Sequence, residues 1–112
     1  MTATISTHVL DTARGAPAAG ISVGLFVLDG SARKLLRVAV TNADGRTDEP
    51  LATQLGPGTY ELVFAVMDYF ARDEIATFFD EIPVRFVVGS ADTRYHVPLL
   101  LSPWGYSTYR GS

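Results

Sequence analysis

A chain of 112 residues with 9 basic and 12 acidic side chains has room for one domain around a single core, and none for a second catalytic domain. Its net charge of -3 comes with scattered basic residues, which argues against a nucleic-acid surface and leaves room for a small, even anionic, ligand. The absence of cysteine excludes a disulfide framework, a thiol nucleophile and a thiolate metal site.

The first residues, Met1 to Ser6, lack the basic start and apolar stretch of a secretory signal, and no apolar run approaches a membrane span. The expectation is a cytoplasmic protein without a membrane partner. From Thr4 to Leu10 the chain alternates, with Ile5, Thr7 and Val9 on one face and Ser6, His8 and Leu10 on the other, which reads as a strand. Arg14 to Gly20 is a loop by its Gly and Pro content, and Ile21 to Leu28 resumes an apolar, β-rich run. Asp29-Gly30-Ser31 turns the chain into a third strand, Lys34 to Thr41, which ends at Asn42-Ala43-Asp44-Gly45. The Asp-Gly step there suits a positive φ, and Arg46 leaves the turn directly.

Gly56-Pro57-Gly58 introduces another alternating strand, Thr59 to Met67. From Phe70 to Phe79 the period changes: Ile75, Phe78 and Phe79 fall at helical spacing, Asp73 and Glu74 suit a helix N-terminus, and Pro83 limits extension. One short helix is expected there. Val84 to Val88 and Thr93 to Leu101 are two more strands, separated by Gly89-Ser90-Ala91-Asp92, and Tyr106 to Tyr109 forms a last one after Pro103-Trp104-Gly105. The reading is an all-β domain over residues 1–112, a two-sheet antiparallel sandwich of seven to eight strands with one short helix, a partly closed barrel being the rival.

The candidate chemistry is sparse. His8 and His96, the two histidines of the chain, each sit on the less apolar face of a strand. Each can be a solvated or hydrogen-bonded strand residue or half of a functional pair, and spacing does not decide whether they meet. Arg46 is either a charged residue after a hairpin, paired with Asp44 or Asp48, or a rigid fork of donors for a carbonyl, an anion or a developing oxyanion; Arg110 has the same two readings. A nucleophilic triad of Ser112, His96 and Asp92 has little support, because there is no Gly-x-Ser-x-Gly elbow and a terminal serine lacks a following N–H for an oxyanion hole. Two distant histidines without His-x-His or His-Glu-x-x-His spacing make no metal motif.

Three blocks carry a family likeness. They are Ser6 to Thr12 with Gly15-x-Pro17-Ala18, Asn42 to Arg46, and Tyr95 to Pro103 running into Tyr106-Ser107-Thr108-Tyr109-Arg110-Gly111-Ser112. Together they span nearly the whole chain, and they resemble the transthyretin-related 5-hydroxyisourate hydrolases, whose hallmark is a C-terminal Tyr-Arg-Gly-Ser. The first two blocks are shared loosely with transthyretin; the histidines and the terminal motif separate the hydrolases from the hormone carrier. The resemblance implies a transthyretin-like sandwich assembled as a homotetramer, a dimer of dimers, with active sites where dimers meet. It implies ring-opening hydrolysis of 5-hydroxyisourate with no metal and no organic cofactor. It also implies His8, Arg46, His96 and Ser112 as catalytic residues, the last bringing a free carboxylate, and Tyr109, Arg110 and Gly111 as substrate-binding residues. The alternative function is a non-catalytic small-molecule carrier on the same sandwich.

Overall fold

The computed structural model describes residues 3–89 and 94–112. Ten elements follow in chain order: β1 (Ala3–Asp11), β2 (Ala16–Pro17), β3 (Ser22–Asp29), β4 (Ala32–Val40), β5 (Ala52–Leu55), β6 (Gly58–Ala65), α1 (Val66–Ala71), β7 (Glu81–Val88), β8 (Arg94–Ser102) and β9 (Gly105–Thr108). One sheet runs β2-β1-β8-β9, with β5 also paired to β1; the other runs β4-β3-β6-β7. The alternation expected of β1 is present residue by residue, Ile5, Thr7 and Val9 being buried and Ser6, His8 and Leu10 half-buried. The inward side chains of both sheets close one core, in which Ile5, Val9, Leu25, Leu62, Phe64, Ile82, Leu99 and Leu101 have no exposed surface.

Several finer expectations change. Nine strands form among the described residues, because two short ones line the outer edge of β1: β2 in the segment that reads as loop, and β5 in a stretch for which no element is expected. The pairing of β1 with β8 is parallel, in unbroken register from Thr4↔Arg94 to Asp11↔Leu101. A parallel neighbour requires a long crossover, and here the entire second sheet supplies it. The separator residues Ser90 to Asp92 and the start of the expected strand at Thr93 lie outside the described residues.

The helix is the largest displacement. It occupies Val66–Ala71, earlier than the Phe70 to Phe79 expected, with Val66, Tyr69 and Phe70 buried at helical spacing and Asp68 in the first turn. Asp73 and Glu74 follow its end, and Glu74 has a φ of 57°, a left-handed value that stops the helix. Tyr69 donates a 2.8 Å hydrogen bond to the buried Asp11 carboxylate at the end of β1, fastening the helix to the first sheet. Burial first, and the bond to Asp11 second, hold the Tyr69 phenol above its ordinary pKa. Pro83 is accommodated inside β7 because that strand is an edge, paired to β6 alone. No helix among the described residues is long and apolar enough to cross a membrane.

Candidate functional site

Parallel register is what gathers the polar residues. Opposing Ser6 to His96 places Thr4, Ser6 and His8 of β1 beside Arg94 and His96 of β8 on the outward face of the sheet. The edge of β1 is covered by β5 at Ala3 and Ile5 and by β2 at Leu10 and Asp11, which leaves the backbone near Val9 open to another partner. The turn 42–46 fills that gap: the Val9 N–H donates to the Gly45 carbonyl at 2.8 Å. Within the turn the Asn42 side-chain oxygen accepts from the N–H groups of Asp44 and Arg46, and Gly45 has a φ of 74° as its Asp-Gly step predicts. A β-carbon at Gly45 would run into the Val9 carbonyl oxygen and stand 3.3 Å from Cδ2 of His8. Docking of this turn therefore brings Arg46 to the histidine face. Arg46 forms no ion pair with Asp44 or Asp48 among the described residues.

The other wall is the C-terminal segment. Gly111 donates its N–H to the His96 carbonyl at 2.7 Å and bridges to β8, setting Ser112 against the histidine. Thr4, Ser6, Arg46, Arg94, His96, Gly111 and Ser112 line a cleft of about 500 Å³. The lining has two guanidinium groups and no carboxylate side chain, so it suits a carbonyl-rich or anionic small molecule. His8 lies two residues along β1 from Ser6 on the same face, close enough to influence His96 electrostatically. Partial burial first, then the positive charge of Arg46, then His8, pull the His96 imidazole below its ordinary pKa. Its Nδ1 lies 2.8 Å from the Ser6 hydroxyl. At neutral pH His96 is thus a neutral imidazole beside a cation, able to exchange a proton with a molecule in the cleft. No group of three or more His, Asp or Glu converges as metal ligands among the described residues.

Of the residues singled out by sequence, the structure brings together Arg46, His96, Gly111 and Ser112, with His8 alongside. Tyr109 and Arg110 line a second groove of about 260 Å³, shared with Val84, Phe86, Tyr95 and Val97. There the Arg110 guanidinium lies 4.6 Å from the centre of the Tyr95 ring and donates to the Arg94 carbonyl at 3.0 Å. Within one chain, then, Arg110 anchors the segment that carries Gly111 and Ser112. Ser6 and Arg94 belong to the cleft although neither was a sequence candidate. Alternation put each on the same face as a histidine, but the parallel pairing that joins the two faces has no signature in the sequence.

The model of the HIUase/Transthyretin family matches residues 5–111. The chain is 53% identical to 5-hydroxyisourate hydrolase 2 of Rhizobium meliloti, over 96% of this chain and 95% of that protein. Among solved structures, 5-hydroxyisourate hydrolase of Klebsiella pneumoniae superposes with a TM-score of 0.88 at 38% identity, covering 98% of this chain and 99% of the other. Sea bream transthyretin in complex with thyroxine gives a TM-score of 0.90 at 23% identity, with 96% and 93% covered, a likeness of fold. With nearly its whole length matched by the family model and by a relative at this level of identity, the chain belongs to the HIUase/Transthyretin family.

Proposed function

We propose that the chain is a 5-hydroxyisourate hydrolase, acting without a metal or organic cofactor and producing 2-oxo-4-hydroxy-4-carboxy-5-ureidoimidazoline. The observation that carries this reading is the convergence of His96, Arg46 and the Gly111–Ser112 segment in one polar cleft, in a chain 53% identical to a protein of that name. Opening a cyclic amide requires a deprotonated water, a stabilised oxyanion and a proton for the departing nitrogen. Neutral His96 takes a proton from a water held at the Ser112 end as the water oxygen bonds to the ring carbonyl carbon. Arg46 stabilises the resulting oxyanion. When the tetrahedral centre collapses, the ring C–N bond breaks, and the nitrogen receives the proton that His96 took. His8 orients the substrate or the water.

Tyr109, Arg110 and Gly111 complete the substrate-binding set. Gly111 forms part of the cleft wall, Arg110 fixes the approach of the tail, and Tyr109 stands 57% exposed beside the open edge of β9. That arrangement supports a homotetramer built as a dimer of dimers, with the unpaired edges of β7 and β9 as pairing surfaces. A carrier on the same sandwich would favour a mainly apolar channel with few anchors, whereas two guanidiniums and an imidazole are costly to desolvate without chemical use.

Product analysis tests the reading. Freshly generated 5-hydroxyisourate is followed by 13C NMR with catalytic amounts of protein. Formation of the ureidoimidazoline faster than its spontaneous rate is expected; substrate that binds stoichiometrically and decays no faster would establish the carrier instead.

A further inference from the structure

We propose that Ser6 is a positioning residue that holds His96 as the neutral tautomer protonated on Nδ1, leaving the Nε2 lone pair directed into the cleft. The role as a positioning residue rests on the hydrolase reading above; the tautomer rests on geometry. His96 projects from β8 with β1 on one side and the C-terminal segment on the other. On the β1 side its cross-strand partner is Ser6, whose hydroxyl lies 2.8 Å from Nδ1. On the far side the backbone of Gly111 crosses the opposite ring edge so closely that a β-carbon there would stand 2.5 Å from Cδ2 and 3.2 Å from Cγ. Real carbon atoms do not approach that near, so glycine at this position is what allows the ring and the tail to share the space. The imidazole is held along both of the edges nearest the backbone, and Nε2 and Cε1 form its outward end.

A neutral imidazole has one nitrogen that donates and one that accepts, and a serine hydroxyl at Nδ1 can satisfy either assignment. The cleft decides between them. Two guanidiniums, Arg46 and Arg94, line the same space as His96 and outnumber the one free carboxylate that the family likeness gives Ser112, and a guanidinium offers donors and no acceptor. Their positive field favours a lone pair toward the cleft and disfavours an N–H pointing the same way. Nδ1–H therefore donates to the Ser6 oxygen, and Nε2 is the atom that receives a proton from water. Without Ser6 the ring loses its reason to keep the less common tautomer, since histidine in water prefers the proton on Nε2. A histidine held by a partner on its second nitrogen is a recurrent device for aiming the first.

Two variants and two readouts test this. In wild-type protein, long-range 1H–15N correlations of the His96 ring above its titration are expected to show the pattern of an Nδ1–H tautomer. Ser6→Ala is expected to shift that pattern toward Nε2–H and to lower kcat on the order of tenfold, with KM nearly unchanged. Ser6→Thr, which keeps the hydroxyl, is expected to restore both. An Nε2–H pattern in wild type, or a Ser6→Ala protein with wild-type kcat, would overturn the proposal. The spectra report the tautomer whether or not 5-hydroxyisourate is the substrate, so a failure of the hydrolase reading shows separately, as an inactive wild type.

Discussion

In the proposed mechanism most of the chemistry turns on His96, whose behaviour follows from its neighbours. Burial and the Arg46 charge disfavour its protonated form, so its folded-state pKa lies below the ordinary value of 6.5. For a base that must be neutral, the acid limb of the kcat/KM profile falls where the free protein takes up that proton. The limb is expected below pH 6.5 in wild type. Arg46→Gln removes a cation that opposes protonation, so the limb should move up toward that value. The same substitution exchanges the proposed charged oxyanion donor for a shorter, neutral amide and is expected to lower kcat about 100-fold to 1,000-fold. A profile whose limb stays in place would mean that Arg46 is electrically remote from His96. Below pH 6.5 the unfolded chain also takes up a proton that native His96 resists, so this group lowers stability as the solution is acidified through that range.

Elements, more than single residues, decide where those groups stand, and here sequence patterns succeed and fail for identifiable reasons. Period-two alternation exposed β1, β6 and β8 and gave the correct face for His8, because each strand has one side against the core. The helix was misplaced because the alternation from Tyr60 to Val66 masks the spacing of Val66, Tyr69 and Phe70, while Ile75, Phe78 and Phe79 imitate a helix in a segment that is irregular. Strands β2 and β5 were missed since two and four residues are too few to show a period. Ser6 and Arg94 are not legible as site residues in the sequence, because their nearness to the site depends on a parallel pairing between distant parts of the chain. The turn 42–46 was legible through its Asp-Gly step, and it has a measurable role. Gly45→Ala is expected to cost about 1–2 kcal/mol from the left-handed backbone alone. It should also lower activity, because the new methyl meets the Val9 carbonyl and crowds His8; denaturant unfolding and turnover measured together check both. Deleting Tyr109 to Ser112 leaves β9 intact and is expected to give a folded protein with turnover reduced about 100-fold, as for a misplaced reacting group. Unchanged turnover would remove the tail from the mechanism.

At the scale of the whole molecule, both sheets end on the same side, at β7 and β9, with the groove of Tyr109 and Arg110 between them. Open edges invite pairing with another copy, and Val87 at 69% exposure and Tyr109 at 57% supply apolar area beside them. Light scattering behind size-exclusion chromatography is expected to return a tetramer for wild type and smaller species for Val87→Glu, with activity falling in parallel. A monomeric wild type with full activity would confine the site to one chain. In the proposed function this cleft hydrolyses 5-hydroxyisourate through His96. Its most direct test is an ultraviolet time course of freshly generated substrate at neutral pH, with no protein, with wild type and with His96→Asn. Because the substrate decays on its own, the comparison is one of rates. Marked acceleration by wild type and little by the variant is expected; equal acceleration by both, or none by folded wild type, would overturn the proposed function.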